Sequence, residues 1–146
     1  MNIRPATLAD LPQMMVNARK FIDSIPAYKD IPYDPESMKA EFLKMMEAGL
    51  CIVAEEDGTH LGGIGACLGP LFLNKSIQIA GERFYWVVPD ERAAGIGKGL
   101  FQAFHKAAKA SGAKYLMMIS LADERTDALY KKLGMIETEH CFWSPL

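Results

Sequence analysis

The sequence predicts a mixed α/β domain with a mostly antiparallel central sheet and helices on both faces. Three observations carry that expectation. Strand-type and helix-type segments follow one another as β-α-α-β-β-β-α-β-α-β, the last position being one strand or a strand pair. The stretch approaching Val88 is apolar on both faces, as in a strand covered by helices from both sides. A glycine turn inside "VVPDERAAGIGKGL", residues 87–100, separates that stretch from a helical one.

The elements follow in chain order. Residues 2–6 read as a short strand. A helix starts at Thr7 or Asp10, either of which can cap it. Pro12 suits the Asp10 start, because early helix positions have no amide partner. Leu11, Met14, Met15, Ala18, Phe21 and Ile22 then fall on one helical face. "DSIPAYKDIPYDPES" is a proline- and tyrosine-rich loop ending in an Asp34 N-cap and Pro35. The second helix runs to about Ala48, with Met38, Phe42, Met45 and Met46 inward and Gly49 as its stop. "LCIVAEEDGTHLGGIGACLG" is a hairpin about Asp57-Gly58. Residues 76–88 form the next strand. After the glycine turn, Leu100, Phe101, Phe104 and Ala108 repeat at helical spacing until Gly112. "AKYLMMISL" is a fifth strand, and "DERTDALYKKLG" is a helix capped by Asp123 and stopped by Gly134. "MIETEHCFW" is expected to close the sheet as a strand or strand pair.

Composition narrows the function classes. The chain has 146 residues, half of them hydrophobic and 23% charged, which fits one domain over 1–146 with its own core. No apolar run approaches the ~20 residues of a membrane span. The N-terminus lacks the basic-then-apolar layout of a signal peptide, so a cytoplasmic location is expected. Cys51, Cys67 and Cys141 are scattered and form no CxxC, which suits reduced thiols. His60, His105 and His140 show no metal-ligand spacing, and no metal is expected. The net charge is −2 and the lysines are dispersed, which argues against nucleic acid as a partner.

The glycine turn carries the chemistry. A strand ending at Pro89 and a helix starting near Gly95 leave backbone amides free at a helix N-terminus, an anion site. A Walker A loop needs GxxxxGK[ST]. Here Gly97-Lys98 is followed by Gly99, and Arg92 stands five positions before Gly97. A dinucleotide fingerprint needs GxGxxG, and Leu100 takes the third glycine's place. The pattern [RQ]-x-x-G-x-[GA] is met by Arg92-Ala93-Ala94-Gly95-Ile96-Gly97.

In this setting, after "WVVP" and before an amphipathic helix, the stretch resembles motif A of the GNAT family of N-acetyltransferases. "IRPATLADLP" resembles that family's first strand and helix entry, and "ALYKKLGM" its motif B. "ERFYWVVPDERAAGIG" further resembles phage- and prophage-type acetyltransferases. The resemblance spans nearly the whole chain. It implies an acyl-CoA N-acyltransferase fold, acetyl-CoA as donor, and transfer to a primary amine of a small molecule, peptide or protein by direct attack on the thioester. Since the family often dimerises through sheet edges or C-terminal strands, it is also compatible with a homodimer.

Carried over residue by residue, the amides of Ala93, Ala94, Gly95, Ile96, Gly97 and Lys98 would cradle the CoA pyrophosphate, with Arg92 and Lys98 adding charge. The backbone of Tyr85, Trp86 and Val87 would pair with the pantetheine arm. Tyr130, at motif B's tyrosine, would be the general acid at the thioester sulfur, and Glu82 the base. Asp123 stands where the motif often has asparagine, so it can cap the helix but cannot donate. Tyr28, Lys29, Tyr33 and Trp143 are candidates for the acceptor site. Met118 occupies the position of a glutamate used by members that modify protein N-termini. A non-catalytic acyl-CoA-binding or host-factor interaction protein on the same fold is the alternative.

Overall fold

The computed structural model describes residues 1–89, 95–121, 123–142 and 144. Strand β1 (Asn2–Pro5) leads through a 3-10 turn (Leu8–Asp10) into α1 (Leu11–Asp23). A second 3-10 turn (Pro26–Tyr28) precedes α2 (Pro35–Glu47). Then come β2 (Cys51–Glu56), β3 (Thr59–Leu71), β4 (Asn74–Val87), α3 (Ile96–Ala110), β5 (Tyr115–Met117) and α4 (Glu124–Lys132). The sheet order is β1-β2-β3-β4-β5. The first three pairings are antiparallel, and the α3 crossover makes β4–β5 parallel. The mixed, mostly antiparallel sheet is the predicted one.

Local chemistry sets the boundaries. Asp10 precedes α1 with Pro12 in the first turn. Asp34 caps α2 by accepting from the Glu36 amide at 3.1 Å. Asp57 and Gly58 take φ of 51° and 77°, the left-handed pair that a two-residue hairpin turn requires.

Two cores lie on opposite faces of the sheet. On one face Leu100, Phe104 and Ala108 of α3 pack on Ile52, Ala54, Ile64, Ala66 and Ala80. On the other, Met14 and Ala18 of α1 and Phe42 and Met45 of α2 pack on Cys51, Val53 and Cys67. Strand β2 alternates between the two cores, which is why "CIVA" is apolar at every position. Among the described residues, no helix is long and apolar enough to cross a membrane.

Two expectations are corrected at the C-terminal side. The fifth strand was expected over residues 113–121, but only Tyr115–Met117 pair with β4, opposite Ile79–Gly81. Beyond Met117 the chain leaves the ladder. The tail was expected to be a strand or strand pair, yet residues 135–142 form none. The open edge of β5 offers only three residues to pair with. Ile136 and Phe142 are 86% and 97% exposed, so these side chains bury little apolar surface against the rest of the fold.

A β-bulge decides what faces the site. Ala66 sits opposite Glu82 and Gly65 opposite Phe84, leaving Arg83 as the extra residue. In a regular strand Glu82 and Tyr85 would point to opposite faces. The bulge returns Tyr85 and Val87 to the α3 face, with Ala80, and sends Phe84 to the α1/α2 face.

Candidate active site

The site is built where β4 and β5 part. Their ladder stops at Gly81–Met117, and no strand pairs with residues 82–86 on that side among the described residues. At the point of parting, the backbone of one residue, Ile119, is held from two elements. Glu82 of β4 accepts a hydrogen bond from the Ile119 N–H at 2.7 Å. Tyr130 of α4 donates its hydroxyl to the Ile119 carbonyl at 3.2 Å. Both side chains are nearly buried, at 5% and 8% exposure.

Burial tunes both groups. Loss of hydration pushes the Glu82 carboxyl up to about 7, against a smaller opposing pull from the Ile119 amide. The Tyr130 phenol is raised well above its usual range, by burial first and then by the charge of Glu82. A carboxyl that titrates near neutrality is suited to accept protons there, and the buried phenol stays protonated at neutral pH.

Tyr85 completes the cluster. Its ring stacks on Tyr130 with centroids 6.2 Å apart and planes 18° apart. Its hydroxyl is buried without a hydrogen-bond partner. Burial raises this phenol to about 12. A Cβ built on Gly97 would stand 2.9 Å from that hydroxyl, so glycine lets Tyr85 reach the first turn of α3.

The start of α3 is where the glycines lead to the expectation of an anion site. Gly95 caps the helix at φ 76°, a conformation that favours glycine, and the Gly99 amide closes onto the Gly95 carbonyl at 3.1 Å. The earlier amides of Ile96, Gly97 and Lys98 have no acceptor within the helix. Lys98 is exposed beside them. Arg92, Ala93 and Ala94 lie outside the described residues. Amides left without a helical acceptor at a helix N-terminus suit an anionic group such as the CoA pyrophosphate. Asp123 caps α4, accepting from the Arg125 amide at 3.2 Å and the Thr126 hydroxyl at 2.8 Å. Among the described residues no group of His, Cys, Asp or Glu is arranged to hold a metal.

On the opposite face of the sheet lies a cavity of about 590 Å³ between α1, α2 and β4. Of the expected acceptor residues, Tyr28 and Tyr33 line it, Lys29 does not, and Trp143 lies outside the described residues. Phe21, Glu41, Phe84 and the Trp86 side chain also line it and were not foreseen there. Phe84 and Trp86 alternate along β4, but their face depends on the bulge, which has no sequence signature here. Arg83 also faces this side, with Nε 3.9 Å from Glu41.

Comparison with known proteins agrees with the fold. The profile of the acetyltransferase (GNAT) family matches residues 18–135. No curated protein matches the chain in sequence. A Trypanosoma brucei acetyltransferase superposes with a TM-score of 0.74 at 19% identity, over 99% of each chain. The aminoglycoside N-acetyltransferase AAC(6')-Iy in complex with CoA gives 0.77 at 18% identity, over 99% of this chain and 93% of that one. A transcriptional regulator from Bacillus halodurans gives 0.74 at 23% identity, over 99% of each. With the family profile covering most of the sequence and the same fold recurring in these structures, the chain belongs to the acetyltransferase (GNAT) family and is an N-acetyltransferase.

Proposed function

We propose that the protein transfers an acetyl group from acetyl-CoA to a primary amine by direct attack on the thioester. Bound acetyl-CoA supplies the activated acyl group; the chain's own residues do the rest. The amides from Ala93 to Lys98, with Arg92 and Lys98, hold the pyrophosphate at the start of α3. The backbone of Tyr85, Trp86 and Val87 aligns the pantetheine arm beyond the end of the β4–β5 ladder. Asp123 orders the start of α4 and so places Tyr130. Glu82 takes the proton that the amine must lose, directly or through water. Tyr130 returns a proton to the departing thiolate. The donor is a cytoplasmic metabolite, and the proposal locates the enzyme there.

The observation that carries this reading is the shared grip of Glu82 and Tyr130 on the backbone of Ile119, at the parting of β4 and β5. It puts a carboxyl that titrates near 7 and a protonated phenol on the backbone of one residue. Free-thiol release, followed with acetyl-CoA and a panel of primary amines, tests it. Release should depend on the amine. If acetyl-CoA binds but no amine raises release above background hydrolysis, the transfer reading fails, and a non-catalytic acyl-CoA-binding protein takes its place.

A further inference from the structure

The cavity on the α1/α2 face has the size of a small-ligand site, about 590 Å³. Its walls are unusual for a pocket that takes cations. Six aromatic rings surround it: Phe21, Tyr28, Tyr33, Phe42, Phe84 and Trp86. Among the described residues, three charged ones line it, namely Asp34, Glu41 and Arg83. Asp34 is engaged in capping α2, where it accepts from the Glu36 amide at 3.1 Å and from the Ser37 hydroxyl. Glu41 accepts the Cys67 thiol at 3.3 Å and has Arg83 at 3.9 Å. The described lining therefore carries one acid more than base.

That charge balance discriminates between amines. A polyamine or aminoglycoside would bring several ammonium groups against apolar walls, and each unpaired charge costs several kcal/mol to desolvate. A single ammonium can be met by Glu41 and by aromatic ring faces. The Tyr33 ring already binds one cation this way, the Arg19 guanidinium 4.8 Å from its centroid. Low polarity also favours the neutral amine, which is the form that attacks. Phe84 and Trp86 stand on the stretch of β4 that has left β5, so the pocket abuts the parted strands.

We propose that the acceptor is a small primary amine with one positive charge and an aromatic or branched apolar body, selected by Phe21, Tyr33 and Trp86. This rests on the acetyl-transfer reading and narrows its substrate class.

The test measures kcat/KM with acetyl-CoA for 2-phenylethylamine, 3-methylbutylamine, ethylamine, spermidine, neamine and a short peptide with N-terminal Phe. The aromatic amine should exceed ethylamine by at least about thirtyfold and should exceed spermidine and neamine. Phe21→Ala and, separately, Tyr33→Ala should lower the 2-phenylethylamine to ethylamine ratio at least about fivefold. That ratio is independent of how much of the variant folds. Preference for spermidine or neamine, an equal rate for ethylamine, or turnover of the peptide alone overturns the proposal while leaving acetyl transfer standing. Calorimetry of the same amines in the presence of CoA separates the other failure. Without turnover of any amine, saturable binding of 2-phenylethylamine but not spermidine supports the pocket's selectivity and sinks the transfer reading. Binding of neither, or of spermidine alone, sinks the pocket proposal.

Discussion

Glu82→Gln separates the two consequences of burying a carboxyl at the parted strands. The side chain is 5% exposed, and its carboxyl titrates near 7 instead of 4.5. A shift of that size corresponds to about 3 kcal/mol between the two protonation states. The folded-state value is raised, so the folded protein binds a proton that the unfolded chain releases. The stabilisation from protonated Glu82 is complete below about pH 4.5 and is lost as pH rises through 7, by about 3 kcal/mol in all. Gln keeps an oxygen to accept from the Ile119 amide and carries no charge. Denaturant melts should therefore show the wild type losing stability between pH 5 and 8 relative to the variant, with the variant the more stable at pH 8. Activity should move the other way. Wild-type kcat/KM should rise with pH with a midpoint near 7, because the base works only when ionised. The variant should lose roughly 10²- to 10⁴-fold and lose that midpoint. Parallel stability curves for the two proteins would refute the burial argument. An unchanged rate in Glu82→Gln would refute its role as base.

Three further outcomes follow from single contacts. Tyr130→Phe removes the bond to the Ile119 carbonyl, at about 1 kcal/mol of stability, and should lower kcat more than KM in steady-state assays. Asp123→Ala removes the cap of α4 and should cost about 1 kcal/mol in denaturant melts. Asp10, nearly buried, pairs with Arg4 at 2.8 Å and His60 at 3.0 Å, and Arg4 holds its carboxyl well below the usual range. Its stabilisation is present above the ordinary carboxylate pKa near 4 and is lost as pH falls below it. Asp10→Asn should cost about 3 kcal/mol at pH 7, and that difference should shrink in acid denaturation curves.

What could be read in the sequence was local chemistry. Asp34-Pro35, Asp57-Gly58 and Asp123 each mark a boundary because a cap or turn needs nothing beyond a few neighbouring residues. The glycines of the turn were legible for the same reason, since Gly95 sits at positive φ and Gly97 under a close contact. What escaped depended on distant partners. Nothing near Arg83 announces the bulge, which arises from pairing with Gly65 and Ala66 and brings Tyr85 beside Tyr130. Phe21 and Ile22 share a helical face with Met14 and Ala18. Yet α1 overruns its core contact, and its last turn lines the cavity. The tail residues have strand-like composition, but a strand forms only against an edge, and β5 offers three residues.

Calorimetry of acetyl-CoA binding to the wild type and to Gly97→Trp tests the central claim most directly. Saturable one-to-one binding to the wild type, weakened at least about a hundredfold in a folded variant, is the predicted result. The indole would be introduced at the first turn of α3, where a Cβ alone already stands 2.9 Å from the Tyr85 hydroxyl. No binding to the wild type, or equal affinity in the two proteins, would contradict the assignment of this turn to the acetyl-CoA pyrophosphate.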